Sequence, residues 1–141
     1  MERLLVALGL ALVIGSIALF IGRRRRIDAP TGGQGVVPAQ LDRGDFARPE
    51  APWLVALFTS ATCEACADVR AKAEVLASDD VVVDAIEYPS RRDLHHRYGI
   101  EAVPLVVIVG ADGAVLTYFL GPVTATDLWN AMSAARGGSA A

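Results

Sequence analysis

The chain has 141 residues, which suffices for one domain of ordinary size plus an additional segment, and 53% of them are hydrophobic. Five of the 13 basic residues but only one of the 16 acidic residues precede residue 27, so residues 27–141 carry 15 acidic against 8 basic side chains. A body this acidic argues against binding nucleic acid, which needs a basic face, and two cysteines are too few for a scaffold stapled by several disulfides.

An uncharged apolar stretch lies close to the amino terminus. Residues 4–22 are 19 consecutive residues in which Ser16 is the only polar side chain, and as a helix they would span about 28 Å, the thickness of a hydrocarbon core. Signal peptides have a shorter apolar stretch and a small-residue cleavage site, whereas this stretch runs directly into four arginines at positions 23–26. The sequence therefore predicts an uncleaved transmembrane anchor over residues 1–26, in contact with membrane lipid through residues 4–26, in preference to a cleaved signal peptide.

The arginines also orient the predicted anchor. Positions 23–26 outweigh Arg3 and the terminal amine on the other side, so the positive-inside rule predicts a cytoplasmic carboxyl-terminal body. Residues 27–37 contain three glycines and show no helical period, which is typical of a flexible tether. The predicted domain follows over residues 38–137, and residues 138–141 are predicted to be a disordered tail.

The hydrophobic pattern of the predicted domain begins with a strand and a helix. Residues 53–58 form a continuous apolar run after Pro52, typical of a central strand that is covered on both faces. Residues 63–78 predict a helix with one apolar stripe. The stripe consists of Thr62, Cys66, Val69, Ala73 and Leu76.

The remaining pattern predicts a second strand and a second helix, followed by two further strands and a final helix. Residues 81–87 predict a strand, and residues 90–98 a short helix with Ser90 as its N-cap and Gly99 at its end. Further elements are a hairpin of residues 104–109 and 114–120 around Asp112-Gly113, a final helix at residues 124–135, a short helix at residues 41–48 and an edge strand at Val36-Val37. The order β-α-β-α-β-β-α predicts an α/β domain with a central sheet and helices on both faces.

Cys63 and Cys66 form a CxxC motif at the start of the first predicted helix. Helical residues three positions apart lie on one face about 5–6 Å from each other, close enough for a disulfide. Cys63 comes first, so its sulfur lies near the unpaired N–H groups and the positive end of the helix dipole, which favour the thiolate and predict the nucleophile. Cys66 lies one turn inside on the apolar stripe and is predicted to resolve the mixed disulfide that Cys63 forms with a substrate.

Several short segments together resemble the thioredoxin pattern over about residues 38–136. They are Phe58-Thr-Ser-Ala-Thr-Cys-Glu-Ala-Cys66, Tyr98-Gly-Ile-Glu-Ala-Val-Pro104, Asp112-Gly113 and Gly121. The resemblance implies a thioredoxin-like α/β fold, a central mixed sheet flanked by helices, here preceded by a single transmembrane helix. It also implies thiol–disulfide oxidoreductase activity through a redox-active Cys63–Cys66 disulfide. A cis Val103–Pro104 peptide bond beside the cysteines is implied as well, with Val103, Pro104 and Thr62 as substrate-binding residues.

The chain departs from the family pattern around these cysteines. Family members usually have Trp before the first cysteine and Gly-Pro between the two, whereas this chain has Thr62 and Glu64-Ala65. The buried aspartate that usually helps to deprotonate the resolving cysteine would fall at Leu57, and the lysine of the following strand is missing from residues 81–87. We interpret this as a paired loss, which leaves Cys66 to be activated by water, by the substrate, or only slowly. Glu64 is expected to oppose the Cys63 thiolate.

Other residues with chemical potential have simpler interpretations. Adjacent histidines on a helix point about 100° apart, so His95 and His96 are interpreted as a solvated helix face and no metal site is predicted. Trp53 and Trp129 are expected to pack in the core or at its edge. The sequence has no nucleotide or flavin motif such as GxGxxG, so no cofactor is predicted.

These patterns predict a membrane-anchored enzyme that reduces protein disulfides on the cytoplasmic face. Its partners would be disulfide-containing proteins, a protein or small-thiol electron donor, and membrane lipid, with no nucleic acid. Two alternatives stay open. One is a domain outside the cytoplasm, similar to the anchored thioredoxin-like proteins of cytochrome c maturation, and the other is a non-catalytic module that holds a partner protein at the membrane.

Overall fold

The structure, a computed structural model, describes residues 37–138. The predicted anchor, residues 27–36 of the predicted tether and residues 139–141 lie outside this range, so those assignments stay predictions. Within residues 37–138, no helix combines the length and the apolar character that crossing a membrane requires.

Residues 37–138 fold into strands and helices in the predicted order β-α-β-α-β-β-α. The elements are β1 (Trp53–Ser60), α1 (Glu64–Glu74), β2 (Val81–Tyr88), α2 (Arg92–Arg97), β3 (Leu105–Val109), β4 (Val115–Leu120) and α3 (Ala125–Gly138). Their bounds differ from the predicted ones by a few residues, as element ends commonly do.

The four strands form one mixed sheet in the order β2-β1-β3-β4. β1 is parallel to β2 and antiparallel to β3, and β3 is antiparallel to β4. Each side chain of residues 54–58 is 0% exposed, which confirms the prediction of a central strand covered on both faces. Because Ser60 pairs with Tyr88 and Phe58 pairs with Leu105, the ends of β1 and β2 and the start of β3 lie at one edge of the sheet.

Alternation along β1 divides the core into two layers. Leu54, Ala56 and Phe58 belong to one apolar cluster, and Val55 and Leu57 belong to the cluster that lies under α1 and α3. α1, the turn that follows it and α3 contribute apolar side chains at helical spacing to the second cluster, namely Val69, Ala73 and Leu76 with Leu128, Met132 and Ala135. The predicted stripe of α1 is confirmed for the buried Cys66, Val69, Ala73 and Leu76, whereas Thr62 precedes the helix and is exposed.

The predicted short helix at residues 41–48 is wrong for most of its length. Only Arg43–Asp45 form a single 3-10 turn, which Asp42 caps by accepting a hydrogen bond from the Gly44 N–H at 2.9 Å. The guanidinium of Arg43 turns inward and donates to the carbonyls of Gly110 and Ala51 at 3.0 and 2.8 Å. These contacts hold the chain in a bend, so a continuous helix cannot form there.

Burial of Arg43 has an electrostatic consequence. The side chain is 8% exposed, and loss of solvation lowers the pKa of its guanidinium, an effect that nearby Glu50 partly offsets. Its Nε has no hydrogen-bond partner among residues 37–138. Arg43 therefore binds backbone carbonyls of two loops at the end of the sheet opposite the cysteines.

The predicted cap of α2 and the predicted edge strand also need correction. Ser90 is not the N-cap, because its hydroxyl donates to the Glu87 carbonyl at 3.0 Å and Arg91 occupies the cap position. Val37 is not in a strand, and Val36 lies outside the described residues. The extended pairing occurs further along, where Gln40 forms an isolated antiparallel bridge with Ala114.

The interpretation of His95 as part of a solvated face is wrong, whereas His96 is exposed. His95 is 4% exposed because the short helix α2 packs on β2, and its Nε2 donates to the Ile86 carbonyl at 2.9 Å.

The expectation for the tryptophans holds for Trp53, which is partly buried against the core, and fails for Trp129, which is 52% exposed on α3.

Candidate active site

The two cysteines lie where β1 passes into α1. Cys63 is the N-cap residue of α1 with an extended backbone (φ −92°, ψ 110°), and its N–H donates to the Ser60 carbonyl at 3.1 Å. The N–H of Cys66 donates to the Cys63 carbonyl at 3.3 Å, so Cys66 lies in the first turn. A buried strand, a tight turn and a helix thus place both sulfurs at one edge of the sheet.

Cys63 and Cys66 are joined by a disulfide, with their Cα atoms 5.4 Å apart. Cys63 is half-buried, whereas Cys66 is 5% exposed and lies one turn before Val69 on the buried stripe of α1. Cys63 is therefore the more accessible of the two residues, and the roles predicted for them stay predictions.

Two opposing electrostatic effects act at Cys63. Cys63 is the N-cap residue, so it lies at the positive end of the dipole of an 11-residue helix, and its side chain makes no capping hydrogen bond. The exposed carboxylate of Glu64, the next residue, has the opposite effect. The helix favours the Cys63 thiolate and Glu64 opposes it.

Val103 and Pro104, directly before β3, form a second part of the site. The Val103–Pro104 peptide bond is cis, as the resemblance implied. Because Phe58 pairs with Leu105, Pro104 lies at the edge of the sheet where β1 ends. The Pro104 carbonyl accepts a hydrogen bond from Gly121 N–H at 2.8 Å, and the backbone groups of Val103 have no hydrogen-bond partner within residues 37–138. An unpaired peptide group therefore lies at the same edge as the disulfide.

Thr62 shapes the turn that precedes Cys63. Its Oγ1 lies 3.0 Å from the Ser60 hydroxyl, and its N–H donates to that hydroxyl at 3.3 Å. The side chain is exposed. Thr62 therefore leaves a small polar surface beside Cys63.

Solved structures with a similar fold include thioredoxins. A mutant thioredoxin from Halobacterium salinarum matches with a TM-score of 0.57 and 18% identity, over 75% of this chain and 95% of that one. The germline-specific thioredoxin Deadhead of the fruit fly matches with 0.52 and 24%, over 60% and 82%. The Fasciola hepatica thioredoxin matches with 0.51 and 22%, over 59% and 80%.

The chain has a thioredoxin-like fold. This confirms the resemblance noted in the sequence. No family model matches the sequence, and no curated protein is similar to it at a significant level. Since these identities lie below 25%, the likeness concerns the fold, and the activity is argued from the site.

Aliphatic residues surround Leu57, near the end of β1 that leads to the cysteines. Leu57 is 0% exposed, and its partners on the neighbouring strands are Ala85 and Val106. Val69 and Ala73, on the α1 stripe that carries Cys66, belong to the same apolar cluster as Leu57. Leu57, where the buried acid of the family pattern would fall, is therefore packed among aliphatic side chains.

An aromatic surface at the same edge was not predicted from the sequence. Tyr88 pairs with Ser60 across β1 and β2, and the Tyr88–Pro89 peptide bond is cis. The guanidinium of exposed Arg92 lies 5.2 Å from the centre of the Tyr88 ring. The Tyr-Pro dipeptide was the one available sign, and it does not reveal which strands are neighbours.

No group of three or more His, Cys, Asp or Glu residues within residues 37–138 could hold a metal ion.

Proposed function

We propose that this protein is a membrane-anchored thiol–disulfide oxidoreductase that reduces protein disulfides on the cytoplasmic face of the membrane. The observation that carries the proposal is the Cys63–Cys66 disulfide, with an accessible first cysteine and a buried second one at the amino end of α1. The cis Val103–Pro104 bond at the same edge and the thioredoxin-like fold support it.

The exchange proceeds in two thiol–disulfide steps. The Cys63 thiolate attacks one sulfur of the substrate disulfide, which forms a mixed disulfide and releases the other substrate sulfur as a thiolate. The Cys66 thiolate then attacks the Cys63 sulfur, which forms the Cys63–Cys66 disulfide and releases the second substrate thiolate. Two electrons pass from the protein dithiol to the substrate, and a protein or small-molecule thiol donor restores the dithiol.

The neighbouring groups would position the substrate. The unpaired peptide group of Val103 offers hydrogen bonds to an extended substrate segment, while Pro104 and Thr62 lie at the same edge of the sheet as the disulfide. No bulky side chain precedes Cys63, so segments of varied shape can approach its sulfur.

Membrane attachment rests on the sequence. The apolar residues 4–22 and the arginines at positions 23–26 support an anchor whose carboxyl-terminal side is cytoplasmic. A flexible tether of about ten residues would hold the domain within roughly 20 Å of the headgroups. In the reducing cytoplasm, the dithiol form would act as a reductant.

Reduction of insulin disulfides tests the catalytic proposal. The full chain, purified in mild detergent with dithiothreitol as the electron donor, is expected to accelerate insulin reduction. Cys63→Ser is expected to return the rate to that of the uncatalysed reaction, and Ser133→Ala, on the exposed face of α3, serves as the matched control. A folded wild-type protein that is no faster than the Cys63→Ser variant would instead indicate a non-catalytic binding module.

A further inference from the structure

The segment that carries Val103 and Pro104 is fixed mainly at its two ends. At its start, the N–H groups of Gly99 and Ile100 donate to carbonyls of α2 at 3.2 and 2.8 Å. At its end, the Pro104 carbonyl accepts the hydrogen bond from Gly121. Between them, the backbone groups of residues 101–103 have no hydrogen-bond partner within residues 37–138. The position of residues 101–103 therefore depends on how firmly the ends are held.

Tyr98 anchors the start of this segment to the amino-terminal part of the domain. Its hydroxyl donates to the Asp45 carboxylate and accepts a hydrogen bond from the Asp42 N–H at 3.1 Å. Its ring stacks on Phe46 with the ring centres 5.9 Å apart, and it meets the edge of Phe58 at 6.5 Å. The side chain is thus held by two polar and two aromatic contacts.

Asp45, which accepts the hydrogen bond from Tyr98, is itself held by other residues. Arg97 donates to the Asp45 carboxylate at 3.2 Å, and Arg91 donates to the Asp45 carbonyl at 2.8 Å. On the other side, the Leu41 N–H donates to the Gly113 carbonyl at 2.9 Å. Residues 41–46 are therefore bonded both to the β3–β4 turn and to α2.

The protonation state of Tyr98 suits this role. Burial raises the pKa of its phenol, and the hydrogen bond to Asp45 raises it further. The phenol keeps its proton at neutral pH and donates to Asp45 throughout.

We propose that Tyr98 is a positioning residue for the exchange reaction: its hydroxyl, held between Asp42 and Asp45, fixes the start of residues 98–104 and thereby presents the Val103 peptide group to the substrate. The proposal rests on the proposed function. Tyr98 does not touch the reacting sulfurs, so its loss weakens substrate binding and leaves the sulfur chemistry unchanged.

A comparison of two Tyr→Phe variants of the full chain tests the proposal. Tyr98→Phe is expected to raise the KM for insulin by up to about fivefold, the factor equivalent to one hydrogen bond of ordinary strength, because residues 98–104 would then have to be ordered on substrate binding, with kcat within about twofold of wild type. The matched control is Tyr118→Phe, because Tyr118 packs against the same apolar cluster and its hydroxyl has no hydrogen bond within residues 37–138.

The outcomes separate the two proposals. If wild type reduces insulin and both variants keep its KM, or if both raise KM equally, Tyr98 has no positioning role. If kcat falls while KM is unchanged, the role assigned to Tyr98 is wrong as well. If the wild-type protein itself does not reduce insulin, the proposed function fails first. Circular dichroism of each variant establishes that it is folded.

Discussion

The two sulfurs of the Cys63–Cys66 disulfide differ in accessibility, although they belong to residues three positions apart. Cys63 lies at the open amino end of α1, whereas Cys66 faces the apolar layer beneath the helix. We therefore expect Cys63 to attack an external disulfide and Cys66 to resolve the mixed disulfide that results.

Cys66→Ser is expected to trap the mixed disulfide between Cys63 and its substrate, because a hydroxyl cannot displace the substrate sulfur. The covalent adduct with insulin chains can be measured by mass spectrometry under non-reducing conditions. The matched variant Cys63→Ser is expected to form no adduct. Equal adduct formation by the two variants would show that Cys66 is as accessible as Cys63 and would overturn their assigned roles.

A second prediction at the residue scale concerns the effect of Tyr98 on stability in the alkaline pH range. Its pKa is raised above the ordinary value of 10.0, so the folded state holds the phenolic proton more tightly than the unfolded state does. This contribution to stability is fully present below pH 10 and is lost as the pH rises through the folded-state pKa. The free energy of unfolding is therefore expected to fall more steeply above pH 10 in wild type than in Tyr98→Phe.

Urea unfolding followed by circular dichroism at pH 8 and pH 11 measures the difference. Tyr118→Phe serves as the control and is expected to follow the wild-type pH dependence, since it leaves Tyr98 in place. Parallel curves for wild type and Tyr98→Phe would contradict the assigned cause.

At the scale of elements, the β3–β4 turn depends on a glycine. Gly113 has a φ of +80°, and a Cβ at this position would lie 2.1 Å from the carbonyl oxygen of Leu41. The Gly113 carbonyl accepts a hydrogen bond from the Leu41 N–H. A side chain at position 113 would therefore push residues 40–41 away from the hairpin.

Gly113→Ala is expected to lower the free energy of unfolding by more than about 2 kcal/mol, since left-handed strain and a backbone clash act together. Gly99→Ala is the matched control, because Gly99 has a φ of +62° but open space around it. Its expected cost is about 1–2 kcal/mol, from the left-handed backbone alone. Urea unfolding measures both, and equal losses would show that the close approach to Leu41 is relieved at no cost.

Some elements could be predicted from the sequence and others could not. β1 and α1 were predicted because their burial produces a clear pattern, an apolar run for a strand covered on both faces and a 3.6-residue period for a helix. The helix at residues 41–48 was wrong, because Arg43 binds carbonyls of Gly110 and Ala51 that the sequence does not place nearby. Ser90 was wrong as a cap, because its hydroxyl binds the Glu87 carbonyl instead.

At the scale of the whole molecule, the orientation of the predicted anchor decides the redox surroundings of the site. A reporter that is active only in the cytoplasm, fused after Ala141, is expected to be active, and one active only outside is expected to be silent, because the arginines at positions 23–26 favour the cytoplasmic side. The opposite pair of results would favour the extracytoplasmic alternative. Replacing all four arginines with glutamine is expected to weaken the preference.

The candidate site combines features that were predictable with features that were not. The CxxC spacing and the Tyr-Gly-Ile to Pro104 interval are local in the sequence, so the cysteines and Pro104 could be proposed from it. The support of Tyr98 by Asp42 and Asp45 could not, because these residues are more than 50 positions apart. The same holds for the pairing of Ser60 with Tyr88, which depends on strand register.

The sequence by itself determined the class of the fold, the order of its elements and the cysteine pair, because hydrophobic period and short motifs reflect interactions between near neighbours. Tertiary structure decided which side chains those elements bring together. It buried His95 and Arg43 against backbone carbonyls, left Trp129 exposed, and placed Val103, Thr62 and the disulfide at one edge. Such contacts depend on strand pairing and on packing between distant segments, which the local pattern of residues does not specify.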